Sequence, residues 1–230
     1  MLKIKEWLLQ LGMFNMKKGQ IGGDFRDETP QIKKIEMNVD GHFAVPLGWG
    51  YNLELAQKYL PIVQDLLSDP RTSNPDFFPR GRTTHNIPDF NLVDMPEFKE
   101  MKEWVYELGC TFLEKQGFHR RGLKNNIFLL ANALDKGGYH KSHTHYDCVF
   151  SGVLYLTAPE GTSALEFEDP VTERLLQKFP VVDSSNPFTW DFIFSRPEVG
   201  LYNIFPLWFR HMVLENPVSE PRIAIAFNVG

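Results

Sequence analysis

The stretch RIAIAFN, residues 222–228, has the two-residue alternation of a β-strand. One face of this strand would carry Arg222 among small residues, and the other face would carry large apolar side chains. Four further runs of β-branched and aromatic residues, separated by glycine and proline turns, also predict strands; they lie at residues 127–134, 149–156, 165–168 and 200–205. Strands at this spacing, without helices between them, predict a β-sandwich or a jelly roll over residues 125–230.

Residues 1–124 carry helical patterns instead and are predicted to support the β core. Asn52 would cap a helix that runs towards Leu67, which Pro61 would kink or restart. Apolar residues at helical spacing also predict an amphipathic helix over residues 4–14. The expected fold class is therefore mainly β with N-terminal helices (α+β), in a single domain of residues 1–230.

A second helix is predicted after residue 97, where Asp94 and Glu97 resemble a capping box and Pro96 occupies the first turn. The segment from Ser68 to Asn91 is expected to be a long loop, and Pro170 to Pro197 an irregular insertion. Such segments commonly carry substrate selectivity.

Composition narrows the class of protein further. The 230 residues have a net charge of −5 and contain no long basic run, so nucleic acid is not expected as a partner. No apolar stretch is long enough to predict a membrane span, and the expected location is the cytoplasm. Cys110 and Cys148 form no metal-type pair and are expected to be core thiols. The oligomeric state does not follow from the sequence.

Residues 137–147 read GGYHKSHTHYD and hold three of the seven histidines. On a regular strand His143, His145 and Asp147 would face the same way, so that two imidazoles could converge on one metal ion. His211 is the best candidate for a further ligand, because the apolar segment before it would bring it into the core. Imidazole with oxygen ligands suits iron, zinc or nickel, and a three-ligand face leaves positions open for oxygen.

Arg222 lies on the small-residue face of the last predicted strand, where a ligand has room beside it. A guanidinium binds a carboxylate through two parallel hydrogen bonds. A structural salt bridge to an acidic neighbour is the alternative. Arg222 follows His211 by 11 residues, and that separation predicts that the two residues lie on neighbouring strands.

These motifs, taken in order, resemble the 2-oxoglutarate/iron(II) oxygenases of the prolyl-hydroxylase-like branch. More narrowly they resemble a group of bacterial and phage proteins of that superfamily that share His-x-His. The resemblance covers roughly residues 125–230 and rests on five segments, which are GYHKSHTH (138–145), FSGVLYL (150–156), LEFEDP (165–170), GLYNIFPLWFRH (200–211) and RIAIAFN (222–228).

The resemblance implies that residues 125–230 form a double-stranded β-helix (a cupin-like jelly roll). It also implies an enzyme that hydroxylates a peptide or a small molecule with iron(II), 2-oxoglutarate and molecular oxygen. His143 and His211 match the two metal-binding histidines of the superfamily, and His145 stands where a carboxylate is usual. Arg222 and Tyr155 match residues that bind the distal carboxylate of the co-substrate.

Three further points about the site follow from the same resemblance. Ala224 replaces a frequent serine, which removes one auxiliary hydrogen bond. Asn132 is a candidate polar group beside the co-substrate, or else a structural amide. With His145 in place of a carboxylate, either a three-histidine site works, or Asp147 supplies the carboxylate, or catalysis has been lost.

Two other functions are compatible with the same motifs. One is a cupin-type dioxygenase that uses a three-histidine metal site without 2-oxoglutarate. The other is a non-catalytic jelly-roll binding module that keeps a vestigial site. The jelly-roll architecture hosts all three functions, so the side chains of the site must decide between them.

Overall fold

The computed structural model of the protein describes residues 36–39, 41, 43–73, 78–85, 87–171 and 180–230. Contacts between Cα atoms group residues 44–230 into one compact unit, separate from residues 1–43. The predicted helix over residues 4–14 lies outside the described residues. The single domain over residues 1–230 stays a prediction.

Ten strands in the described residues form two antiparallel sheets. The strands are β1 (Gly48–Tyr51), β2 (Gly81–Thr83), β3 (Ile127–Leu134), β4 (His140–His143), β5 (Phe150–Tyr155), β6 (Leu165–Glu168), β7 (Phe192–Ser195), β8 (Leu201–Pro206), β9 (His211–Val213) and β10 (Arg222–Val229). The larger sheet has the order β1-β8-β5-β10-β3-β2, and the smaller has the order β4-β9-β6-β7. The predicted mainly β fold with a jelly-roll core is confirmed.

The strand β10 lies at the centre of the larger sheet and pairs with both β3 and β5. Its alternation is as predicted. Arg222, Ala224, Ala226 and Asn228 line a cavity between the two sheets. Ile223, Ile225 and Phe227 lie on the other face, in the main hydrophobic core.

Two α-helices, α1 (Leu53–Ser68) and α2 (Lys99–Lys115), supply the other half of that core. Tyr59 of α1 and Met101 of α2 are fully buried, and the Tyr59 hydroxyl bridges the two elements by donating to Glu97 O and accepting from Met101 N. Each large apolar side chain buried in this way contributes about 1.5–3 kcal/mol. The helices therefore brace the larger sheet from the outside and leave its inner face free to line the cavity.

The predicted helix starts are partly right. The Asn52 side chain accepts a hydrogen bond from Leu55 N (3.0 Å), which confirms the cap, and α1 continues through Pro61 without a restart. The capping box at Asp94 is wrong, because α2 begins only at Lys99 and its first turn has no side-chain cap. Two short 3₁₀ turns precede it, and the Asp94 carboxylate accepts from the side chain of Asn91 instead.

Two segments that were expected to be irregular contain strands. The expected loop from Ser68 to Asn91 includes β2, whose three residues pair with β3 at the edge of the larger sheet. The expected insertion from Pro170 to Pro197 includes β7, which pairs with β6. Neither strand is long enough to show a clear alternation, so pairing with an already formed neighbour is what defines them.

The two cysteines are free thiols. Cys110 is buried in the core as expected, whereas Cys148 is only half-buried. Burial and the nearby Asp147 raise the pKa of the Cys148 thiol to about 11. None of the helices in the described residues combines the length and the apolar character needed to cross a bilayer.

Candidate metal centre

Three histidines meet at the end of the smaller sheet. His143 ends β4 and pairs directly opposite His211, which begins β9. His145 lies two residues beyond β4, and its backbone N–H donates to Leu207 O (3.0 Å). One ligand atom from each of the three side chains lies within 4.8 Å of the others. The structure thus brings together the three histidines that the sequence singled out.

Hydrogen bonds set which ring nitrogen points into the cluster. His143 Nδ1 lies 2.7 Å from Lys141 O, and His211 Nδ1 lies 2.8 Å from Phe209 O. A carbonyl oxygen can only accept, so in both rings Nδ1 carries the proton and Nε2 keeps its lone pair. Backbone contacts of this kind also fix the orientation of a metal-binding ring.

The spacing of the nitrogens suits one metal ion. His145 Nε2 lies 3.3 Å from His211 Nε2. Two nitrogens that each bind a metal at about 2.1 Å, at right angles, are about 3 Å apart. The donor set is also appropriate, because neutral imidazoles bind iron, zinc and nickel. The residues present therefore fit a divalent transition metal.

Burial keeps these imidazoles neutral. Desolvation, followed by the neighbouring histidines, lowers the pKa of His211 to about 2 and that of His145 to about 4. Desolvation also lowers the pKa of His143, although its hydrogen bond to Lys141 opposes the shift. A neutral ring is the form that binds a metal.

A fourth histidine, His140, adjoins the cluster and was not assigned a role from the sequence. Its ring centroid lies 4.1 Å from that of His143 and 4.9 Å from that of Phe78. Burial, followed by the other histidines, lowers its pKa to about 3. It stands three residues before His143, so the density of histidines in residues 137–147 was the one sequence signal for it.

Asp147 does not join the cluster. The strand β4 ends at His143, so the alternation that would have turned Asp147 inward stops before it. Asp147 is exposed and has a left-handed backbone (φ 58°). His145 instead reaches the cluster, where its Nε2 also lies 3.0 Å from the Ser151 hydroxyl on β5.

Arg222 is buried deep in the same cavity, and only 6% of its surface is exposed. Its Nη1 donates to Ser163 O (3.0 Å), and its guanidinium lies 5.4 Å from the centre of the Tyr155 ring. Its Nε has no hydrogen-bond partner, and no carboxylate of the described residues forms an ion pair with it. The alternative of a structural salt bridge is therefore wrong within the described part of the chain.

Ser163 contacts the Arg222 guanidinium and was not singled out from the sequence. It lies in the turn before β6, its hydroxyl is buried, and that hydroxyl has no hydrogen-bond partner in the structure. Its carbonyl oxygen accepts from Arg222 Nη1, so Ser163 contacts the guanidinium through its backbone. Nothing in the local sequence around Ser163 distinguishes it from an ordinary turn serine.

The spacing of His211 and Arg222 predicted that they lie on neighbouring strands, and this prediction is wrong. The strand β9 belongs to the smaller sheet and β10 to the larger one. The connection between them contains Pro217 and Pro221, which cannot donate to a ladder, and it crosses from one sheet to the other. The histidine cluster and the guanidinium therefore face a common cavity from opposite sheets.

That cavity has a volume of about 430 Å³, which is within the range of small-molecule sites. It is lined by the three clustered histidines and by His140, Asn132, Tyr155 and Arg222, with mainly apolar residues between them. Asn132 accepts at its Oδ1 from the Thr83 hydroxyl (2.6 Å). Asn132 thus ties β2 to β3 while lining the cavity.

Residues 129–228, somewhat less than half of the chain, match a family described as "Putative 2OG-Fe(II) oxygenase". No curated protein matches the sequence significantly.

Several solved structures share the fold. A prolyl-4-hydroxylase from Pseudomonas putida has a TM-score of 0.57 at 12% identity, over 80% of this chain and 92% of that one. A prolyl hydroxylase from Trichoplax adhaerens, in complex with a hypoxia-inducible factor peptide, has a TM-score of 0.53 at 10% identity, over 80% and 82%. HygX from Streptomyces hygroscopicus, with nickel and 2-oxoglutarate bound, has a TM-score of 0.52 at 14% identity, over 81% and 83%.

At these identities the likeness to solved structures establishes the jelly-roll fold alone. The matched residues 129–228 include the whole histidine cluster, Tyr155 and Arg222. The resemblance found in the sequence is confirmed, in that residues 129–228 match a family of 2OG-Fe(II) oxygenases.

Proposed function

We propose that this protein is a 2-oxoglutarate-dependent iron(II) oxygenase that hydroxylates a peptide or small molecule. His143, His145 and His211 would hold the iron. Arg222 and Tyr155 would bind the distal carboxylate of 2-oxoglutarate, and Asn132 would be a polar neighbour of that co-substrate.

One observation carries the proposal, namely the buried Arg222 guanidinium in the same cavity as three neutral imidazoles. A buried charge without an ion-pair partner is costly, and desolvation accordingly lowers the pKa of Arg222. The cost is offset when a carboxylate binds, because the fork geometry makes two charge-assisted hydrogen bonds. A cavity built in this way favours a dicarboxylate that can reach both the guanidinium and the metal.

The protein's own groups would orient and enclose this co-substrate. The Nδ1 hydrogen bonds of His143 and His211 hold their rings with Nε2 towards the metal position. The apolar walls would exclude water from the cavity. When bound, iron(II) and 2-oxoglutarate would supply the oxidation with molecular oxygen as the oxidant: one oxygen atom would enter the substrate as a hydroxyl group, and the other would enter the co-substrate, which loses carbon dioxide and becomes succinate.

The all-histidine donor set also supports a second candidate, a cupin-type dioxygenase that needs no 2-oxoglutarate. Such an enzyme would bind iron through the same three residues. It would give Arg222 no dicarboxylate to bind, so the response to 2-oxoglutarate separates the two candidates.

The test is an anaerobic titration of iron(II) and 2-oxoglutarate into the purified protein, followed through the weak visible charge-transfer band of the chelate. We expect the band only when both are present, and we expect His211→Ala to abolish it. The matched control is His119→Ala, because His119 is exposed and lies outside the cavity.

Each other outcome has a distinct meaning. Iron binding without a band would overturn the 2-oxoglutarate assignment in favour of the second candidate. Absence of iron binding would favour a non-catalytic jelly-roll module. A band that survives in His211→Ala would contradict the proposed ligand set.

A further inference from the structure

The cavity has an unusual balance of charge. Arg222 is the only arginine, lysine, aspartate or glutamate among its described lining residues, and a histidine that binds a metal does so as a neutral ring. No carboxylate of the described residues lines it. Asp147 is exposed, and Glu166 lies on the opposite face of β6 from the lining residue Leu165.

The cavity would carry a net charge of +1 when the metal and 2-oxoglutarate are both bound. A divalent metal and Arg222 bring three positive charges, and the 2-oxoglutarate dianion brings two negative ones. In a facial triad with a carboxylate ligand, that carboxylate supplies the missing negative charge. Here His145 occupies its place and is neutral. An uncompensated charge in a cavity of low dielectric constant is strongly unfavourable and attracts a counter-charge.

We propose that the substrate is anionic and that it places one acid group, such as a carboxylate, beside the three-histidine cluster. This inference rests on the proposed function, and it names the class of substrate that the same site would accept. A small inorganic anion would have the same chemistry, so the acid group must be shown to be bound in the cavity rather than elsewhere.

Asn228 provides a suitable neutral donor for that acid group. It lines the cavity from β10 and pairs opposite Ser151, whose hydroxyl lies 3.0 Å from His145 Nε2. Its side chain therefore lies at the level of the histidine cluster. The side-chain amide of Asn228 makes no hydrogen bond to another described residue, so its NH₂ group is able to donate to a ligand.

The test uses the full-length protein loaded with cobalt(II) and saturating 2-oxoglutarate, in a chloride-free buffer. Acetate and acetamide serve as probes, because they have the same shape and differ in charge. The readout is the change in the visible cobalt bands. We expect acetate to bind at least tenfold more tightly than acetamide.

The key variant is Asn228→Asp, which adds one negative charge to the cavity at almost constant shape and leaves all three histidines intact. It should reduce the preference for acetate at least tenfold. Asn125→Asp adds the same charge at an exposed position and should leave the preference unchanged. In a second variant, His145→Asp, restoration of the carboxylate ligand should have the same effect as Asn228→Asp.

The outcomes distinguish a failure of the proposed function from a failure of the inference that the substrate is anionic. If the wild-type protein fails to bind cobalt or 2-oxoglutarate, the proposed function fails. If it binds both but binds acetate and acetamide equally, the anionic substrate is ruled out and the proposed function stands. Equal preference for acetate in the wild-type protein and in Asn228→Asp would show that the anion binds outside this cavity, which also overturns the inference.

Discussion

Replacement of Arg222 by methionine tests the proposed 2-oxoglutarate site most directly. Methionine has a similar length and no charge, so Arg222→Met removes the guanidinium and keeps the cavity wall apolar. Two charge-assisted hydrogen bonds to a carboxylate are lost, each worth about 1.5 kcal/mol at the lower end of the usual range. The combined loss of about 3 kcal/mol corresponds to at least a hundredfold weaker binding of 2-oxoglutarate.

The assay is the shift of the melting temperature on addition of 2-oxoglutarate to the manganese(II)-loaded protein. A ligand at a hundred times its Kd stabilises the folded state by about 2.7 kcal/mol. For a domain of 150–250 residues, that is a shift of about 5–11 °C. We expect the wild-type protein to show this shift and Arg222→Met to show almost none at the same concentration.

Two controls isolate the charge of Arg222. Arg121→Met changes an exposed arginine outside the cavity and should keep the full shift. Arg222→Lys keeps the charge but loses the fork geometry, so its shift should be intermediate. The reasoning is refuted if Arg222→Met binds 2-oxoglutarate within tenfold of the wild-type affinity while it remains folded without ligand.

Three further predictions concern the Ser163 hydroxyl, the buried histidines and the packing of Gly152 in the larger sheet. Ser163→Ala should weaken 2-oxoglutarate binding about tenfold in calorimetry and leave the ligand-free melting temperature unchanged or higher, because the lost hydroxyl is buried without a partner. Burial lowers the pKa of histidines in the cluster, to about 2 for His211. Below about pH 6.5 the unfolded chain therefore binds more protons than the folded chain. The free energy of unfolding of the metal-free protein should therefore fall in urea titrations between about pH 6.5 and 4, by about 1.4 kcal/mol per pH unit for each such histidine; a flat profile would contradict the burial. Gly152→Ala should cost about 1–3 kcal/mol or more in the same titrations, since its Cβ would collide with the Phe227 ring and the Asn203 carbonyl.

Five strands, namely four of the larger sheet and β6 of the smaller one, were predictable because their signal is local. Residues 127–134 and 165–168 have the bounds that the sequence predicted, and the runs at 149–156, 200–205 and 222–228 are right to within one residue at either end. An alternation over six to eight residues needs no knowledge of the partner strand. By contrast, β2, β7 and β9 span only three or four residues, and each is defined by the strand it pairs with.

The residues of the candidate site also differ in whether a local sequence signal reveals them. The three clustered histidines and Arg222 could be found because each has a chemically distinctive side chain within a strand pattern. Ser163 could not be found, because a turn serine becomes a ligand candidate only when Arg222 folds against its carbonyl. The interpretation of Asp147 failed for a related reason, since the point at which β4 ends depends on its pairing with β9 and not on its own residues.

The division of the site between two sheets explains how a three-histidine cluster and a buried arginine can coexist. If His211 and Arg222 lay on adjacent strands, the guanidinium would lie beside the metal and repel it, and one short ligand would satisfy both. Because β9 and β10 belong to different sheets, the cavity separates the two positive centres. A ligand must then carry two acidic ends to reach both, and this requirement favours a dicarboxylate over a monocarboxylate. Succinate, which keeps the distal carboxylate but lacks the keto group, should therefore compete with 2-oxoglutarate, whereas butyrate should compete far less.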